Sequence, residues 1–147
     1  MKKSVLVSVL GTQKNDVGEV DKIELVTPGT FFLRDQSYYI IYQETEITGM
    51  EGTTTTVKVE PQKITLNRMG AQELKQTFEK NKANHSIYAT PYGTLNLTVI
   101  PSKVEVSMHQ EGGTIDLAYE LQVDKKKLSD NTLQIIVKEA RSRRELR

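Results

Sequence analysis

Residues 93–137 read GTLNLTVIPSKVEVSMHQEGGTIDLAYELQVDKKKLSDNTLQIIV, and the alternation in this stretch decides the fold. Within it Ile115, Leu117, Tyr119, Leu121 and Val123 fall at every second position. Successive side chains of a strand point to opposite faces, so this spacing hides one face and wets the other, as antiparallel sheet does. Leu95, Leu97 and Val99 repeat the pattern, as do Val104, Val106 and Met108, and then Leu133, Ile135 and Val137. Pro101-Ser102, Gly112-Gly113 and the polar stretch Asp124–Asn131 read as the turns between these runs.

The same period runs back toward the N-terminus. Val5, Val7 and Val9 place a strand over Lys3–Lys14, and Ile23 and Leu25 begin a second near Val20 that Pro28-Gly29 punctuates and Phe31–Leu33 continue. Ser37–Ile47 (SYYIIYQETEI) is rich in aromatic and β-branched residues, and Thr53–Val59 and Ile64–Arg68 follow it across turns at Gly49–Gly52 and Pro61-Gln62. Gly70–Lys82 (GAQELKQTFEKNK) is ambiguous, because Leu74 and Phe78 fit a helix at i, i+4 while Leu74, Gln76 and Phe78 fit one face of a strand. Nine or ten short strands joined by short turns predict one all-β domain, an up-and-down antiparallel β-barrel of about 8–10 strands over residues 1–140, with 141–147 as a basic C-terminal tail. Closure also removes the edges at which sheets pair between molecules.

Composition narrows the function classes. The 147 residues suit one domain, and 37% hydrophobic with 27% charged residues is a globular balance. Twenty Lys and Arg against nineteen Asp and Glu leave a net charge of +1, which argues against a dedicated nucleic-acid binder despite the clusters Lys125–Lys127 and Arg141–Arg147. The absence of cysteine removes disulfides, thiolate metal sites and cysteine nucleophiles. MKKSVLVSVLGT has a signal-like start, yet its apolar run is short, is interrupted by Ser8 and lacks a cleavage site, so it reads as a first strand. No apolar run approaches the ~20 residues that span a bilayer, and the expected location is the cytoplasm.

No nucleophile elbow, P-loop, H-E-x-x-H or dinucleotide fingerprint occurs, so no catalytic residue, cofactor or metal site is expected. His85 and His109 stand 24 residues apart and read as ordinary surface histidines. Three features are less bland. Tyr38, Ile40, Tyr42, Glu44 and Glu46 share one strand face, which brings tyrosine hydroxyls and carboxylates together. Arg68 is in phase with Ile64 and Leu66, and an inward Arg is costly unless it is paired, with Glu44 or Glu46 as the partner, or faces a cavity. Thr53–Thr56 suits a strand by propensity, and its alternate hydroxyls form a polar strip.

Tyr42-x-Glu44, GMEGTTTTVKVE (Gly49–Glu60), Arg68-x-Gly70 and YATPYG (Tyr88–Gly93) together resemble the YwiB-like family of small bacterial proteins, and the resemblance runs from about Val5 to Val137. It implies a calycin-like, lipocalin-like barrel and makes Leu74–Phe78 a strand against its helical propensity. It supplies no activity. The residues expected to line or cap the interior are Tyr42, Glu44, Arg68, Tyr88 and Tyr92, with a small amphipathic or anionic molecule as the ligand. The alternatives are a filled barrel that works through its outer face or as a homodimer, and an enzyme with Glu44 as base beside a tyrosine acid.

Overall fold

In a computed structural model that describes residues 2–71, 73–90 and 92–140, the chain forms ten strands. They are β1 (Lys3–Asn15), β2 (Val20–Arg34), β3 (Ser37–Gln43), β4 (Thr53–Glu60), β5 (Lys63–Gly70), β6 (Leu74–Glu79), β7 (Asn84–Thr90), β8 (Gly93–His109), β9 (Gly112–Val123) and β10 (Lys126–Glu139). The strand order is β6-β5-β4-β3-β2-β1-β10-β9-β8-β7, so every pairing joins sequence neighbours except β1 with β10, which brings the sheet round on itself. The result is a nearly closed antiparallel up-and-down barrel. At the β6/β7 seam the ladder gives way to an isolated Glu79–Lys82 bridge, beside a hydrogen bond from the Thr77 N–H to Asn84 Oδ1, 3.1 Å.

The turns follow their residues. Asp35-Gln36 and Asp124-Lys125 take positive φ at both positions, the geometry that matches a two-residue hairpin to the strand twist. Alternation then selects the inner face. Val5 and Val7, Ile40, Val57 and Val59, Ile64 and Leu66, Ile115 and Leu117, and Ile135 and Val137 are all at most 3% exposed and fill one core. For orientation, the end at which β1, β3 and β5 begin is the lower end and the other the upper.

Leu74–Glu79 is a strand, as the resemblance implied, because tertiary pairing with β5 overrides its helical propensity. Several other sequence readings change here. Pro101-Ser102 is not a turn. β8 runs through it as one strand whose register with β9 shifts between Pro101 and Lys103, since a bulge accommodates a residue that lacks an N–H. Asn84–Thr90, unread as a strand, forms β7. β3 ends at Gln43, and Glu46 sits exposed in a one-turn 3-10 helix (Glu46–Thr48) capped by Thr45. The polar stretch taken as a turn up to Asn131 is a two-residue turn followed by β10. The basic segment 141–147 lies outside the described residues.

Candidate functional site

Cross-strand register builds a polar cluster in the upper lumen. Tyr42 on β3 pairs with Thr55 on β4, and Thr55 pairs with Arg68 on β5, so three inward side chains stand side by side. Gly29 on β2 is the next partner of Tyr42, where a Cβ would come within 2.7 Å of Val7 and 2.9 Å of the Ile41 carbonyl. Thr53 and Thr55 are fully buried while Thr54 and Thr56 face out, so the threonine run does place alternate hydroxyls inside.

Glu44 completes the cluster one residue beyond β3. Its N–H still donates to the Thr53 carbonyl, 2.9 Å, which keeps its side chain turned inward, and that side chain is 2% exposed. Oε1 accepts from the Thr48 hydroxyl at 3.0 Å, and Oε2 accepts from Thr55. Arg68 Nε lies 3.9 Å from Oε2, and the Arg68 side chain is 20% exposed. Nε is buried and has no hydrogen-bond partner among the described residues. A buried carboxylate is tolerable when it is paired and hydrogen-bonded, and Glu44 has both kinds of compensation.

Tyr42 is 4% exposed, and burial pushes its hydroxyl pKa well up from 10.0. The Glu44 charge adds to that rise, while Arg68 opposes it. The phenol therefore keeps its proton at neutral pH and beyond the usual tyrosine range. Each Glu44 oxygen thus accepts from a threonine hydroxyl, and Oε2 also faces the Arg68 guanidinium.

The loop that brings these groups together depends on two glycines. Gly52 (φ +81) opens β4, and its carbonyl accepts from the Ala71 N–H at 3.1 Å. Gly70 (φ +116) closes β5 against it, where a Cβ would sit 2.4 Å from the Gly52 oxygen. This is why glycine flanks the threonine run and follows Arg68 two residues on.

Of the expected site residues, the structure brings together Tyr42, Glu44 and Arg68. Tyr88 is half-buried on β7, in the inward phase near the upper end. Tyr92 is corrected: it is 99% exposed, in the turn ahead of β8, and supplies no wall of the lumen. Glu46, the other acid offered as a partner for Arg68, is exposed in the loop.

Sequence reasoning missed Gln76 on β6 and Ser129 and Asn131 on β10, all at most 9% exposed. Their signal was phase, since Ser129 and Asn131 continue the odd-numbered series of Leu133, Ile135 and Val137. His85 Nδ1 lies 2.9 Å from Thr98 Oγ1, and among the described residues no three His, Asp or Glu side chains converge as metal ligands.

Comparison with known proteins bears on the whole barrel. The family described as Domain of unknown function (DUF1934) matches residues 7–135. The "Uncharacterized beta-barrel protein YwiB" of Bacillus subtilis (strain 168) is 27% identical over 108 residues, 74% of this chain and 75% of that protein. The crystal structure of the ywiB protein from Bacillus subtilis superposes with a TM-score of 0.84 over 95% of this chain and 93% of that one. At 22% identity this last likeness speaks to the fold.

Proposed function

The chain belongs to the DUF1934 family and is YwiB-like in sequence and fold, and from that premise we propose that its barrel holds a small amphipathic or anionic molecule in the upper lumen, with Arg68 receiving the charged group. The observation that carries this is the cluster itself. A buried Glu44–Arg68 pair stands in a barrel whose lower lumen is apolar, and Arg68 Nε is buried with no hydrogen-bond partner among the described residues. A buried ion pair rarely stabilises more than well-packed hydrophobic residues of the same volume, so packing gives little reason to keep one here. A guanidinium held by Glu44 and still 20% exposed suits a carboxylate or phosphate, which it can meet with two parallel hydrogen bonds. Tyr42 and Tyr88 add apolar area with hydroxyls at the tip. Barrel diameter grows with strand number, and the ten strands here exceed the roughly eight of barrels that hold one small ligand. The lipocalin-like expectation enters as this mode of lumenal binding.

The proposed location is the cytoplasm. In support, Lys3–Asn15, the stretch with a signal-like start, is a barrel strand paired on both sides.

Native mass spectrometry of the protein taken gently from its own cells tests the reading. The expected result is a bound mass of a few hundred daltons in the wild type that is absent from Arg68→Ala. Retention of the same mass by Arg68→Ala overturns the role of Arg68.

A second reading, two copies joined through the outer faces of β1, β2 and β10, draws on the exposed Val26 beside half-buried Leu6, Leu10 and Ile136. In that case the same spectra show a dimer that Val26→Lys dissociates and Arg68→Ala leaves intact.

A further inference from the structure

Opposite the Arg68 cluster the lumen carries polar groups that the anion reading does not use. Ser129 is fully buried and Asn131 is 9% exposed, yet Ser129 Oγ and Asn131 Oδ1 have no hydrogen-bond partner among the described residues. Unpaired buried polar atoms are rare and costly, because desolvation is not offset. Both residues share the inward phase of Ile135 and Val137. Just before them the register with β9 shifts between Lys127 and Ser129, and Leu128 stands 44% exposed outside.

Topology sets these groups against Arg68. In the strand order β10 lies five places from β5 in either direction round the barrel, so the two strands form opposite walls. Arg68 is two residues from the upper end of β5, and Ser129 is three residues into β10 from its upper end.

A floor lies beneath both. Phe78 of β6 meets Tyr119 of β9 edge-on at 5.0 Å between ring centroids, a contact that crosses the seam. Asn131 pairs with Tyr119, and Ser129 pairs with Leu121 one inward position higher. On the opposite side Gln76 stands one inward position above Phe78. The inward groups above the floor are thus a cation on one wall and a hydroxyl with an amide oxygen on the other. The amide oxygen accepts hydrogen bonds and does not donate them.

Resting on the reading that Arg68 receives an anion, we propose that the ligand is a compact anion with a hydroxyl or amine at the end remote from its charge, and that Ser129 and Asn131 receive that end. A hydroxylated carboxylate or the phosphate ester of a small polyol has this chemistry. A plain acyl chain does not, because it would leave both groups unpaired in a drier chamber.

NMR titration of the full chain with glycerol 3-phosphate, glycerate, inorganic phosphate and octanoate tests the assignment. Glycerol 3-phosphate or glycerate is expected to shift the Arg68 side-chain and Asn131 amide signals together, and to bind about tenfold tighter than inorganic phosphate, on the order of two net hydrogen bonds. Which of the two binds tighter decides between phosphate and carboxylate. Ser129→Ala should cut that preference by roughly fivefold, leave phosphate affinity unchanged and leave the unliganded melting temperature equal or higher, since it deletes an unpaired buried hydroxyl. Arg68→Ala should lose every anion.

Equal binding of inorganic phosphate and the hydroxylated probes, untouched by Ser129→Ala, overturns the inference and leaves the anion site standing. So does preferred binding of octanoate. A clear drop in the unliganded melting temperature of Ser129→Ala also overturns it, because the hydroxyl would then have a structural partner. No shift at Arg68 with any probe removes both this inference and the reading it rests on.

Discussion

The lower and upper halves of the lumen are made by the same strands under the same alternation, yet they hold opposite chemistry. Below, the inward positions are Val5, Phe31, Ile40, Val59, Ile64 and Phe78, each at most 2% exposed. Above, β3 to β6 and β10 turn Tyr42, Thr55, Arg68, Gln76 and Asn131 inward, with Glu44 just past the end of β3. Period two decides which side chains enter the barrel and is silent on what they are. Apolar burial stabilises without needing partners, whereas each buried polar group has to recover its desolvation cost from a specific neighbour. The lower half can therefore carry the stability of the fold, and the upper half departs from the cheapest packing, a departure for which the proposed ligand would be the reason.

The largest expected effect lies at the floor between the two. Phe78→Ala removes a ring that is 1% exposed and packed edge-on against Tyr119, and should cost about 3–5 kcal/mol in chemical denaturation, a large share of the stability of a domain this size. A loss below about 1 kcal/mol would break the comparison, because the lower lumen would then not be packed.

A smaller effect is expected above the floor. Removing one partner of a fully buried pair costs about 3–5 kcal/mol, but Arg68 is 20% exposed and solvent screens part of the charge left on Glu44, so Arg68→Ala should cost about 2 kcal/mol. Glu44→Gln with Arg68→Met should recover most of that loss, since it replaces a charge pair by neutral groups of similar shape. Additive losses in the double variant would mean that the pair is not coupled.

This division also explains what could be read from the sequence. The strands around Ile115 and Leu133 were legible because one wet and one dry face produce alternation, and the inward Arg68 stood out as a charge in an apolar phase. Glu44 was legible as a partner, but its rank over Glu46 was not, since that rests on Thr45 capping a turn that carries Glu46 away. Ser129 and Asn131 were hidden because Ser, Asp and Asn beside three lysines carry a turn signal that outweighs phase. Pro101 misled for the related reason that a bulge absorbs a residue a regular ladder cannot, and β7 was passed over because Ile87 and Ala89 point outward there. Side chains that are polar and buried obey tertiary neighbours that no local window contains.

The smallest effect is read from pH. Tyr42 titrates well above its ordinary 10.0 in the folded protein, first because it is buried and then because Glu44 is near. In the unfolded chain it titrates near 10. The folded state therefore holds the proton more tightly, and the stability this contributes is fully present below about pH 10 and falls as pH rises beyond it, by up to about 1.4 kcal/mol per pH unit. Tyr42→Phe keeps the ring and removes the proton, so its stability should decline less steeply than the wild type above pH 10, against the same background of lysines and other tyrosines. Measuring both by urea denaturation from pH 7 to 11 sharpens the contrast between the halves. Diverging curves mean that the upper chamber keeps water from the phenol even while it holds charge. Parallel curves mean that water reaches Tyr42, in which case the upper half is an open mouth and a small anion would have to bind there in competition with solvent.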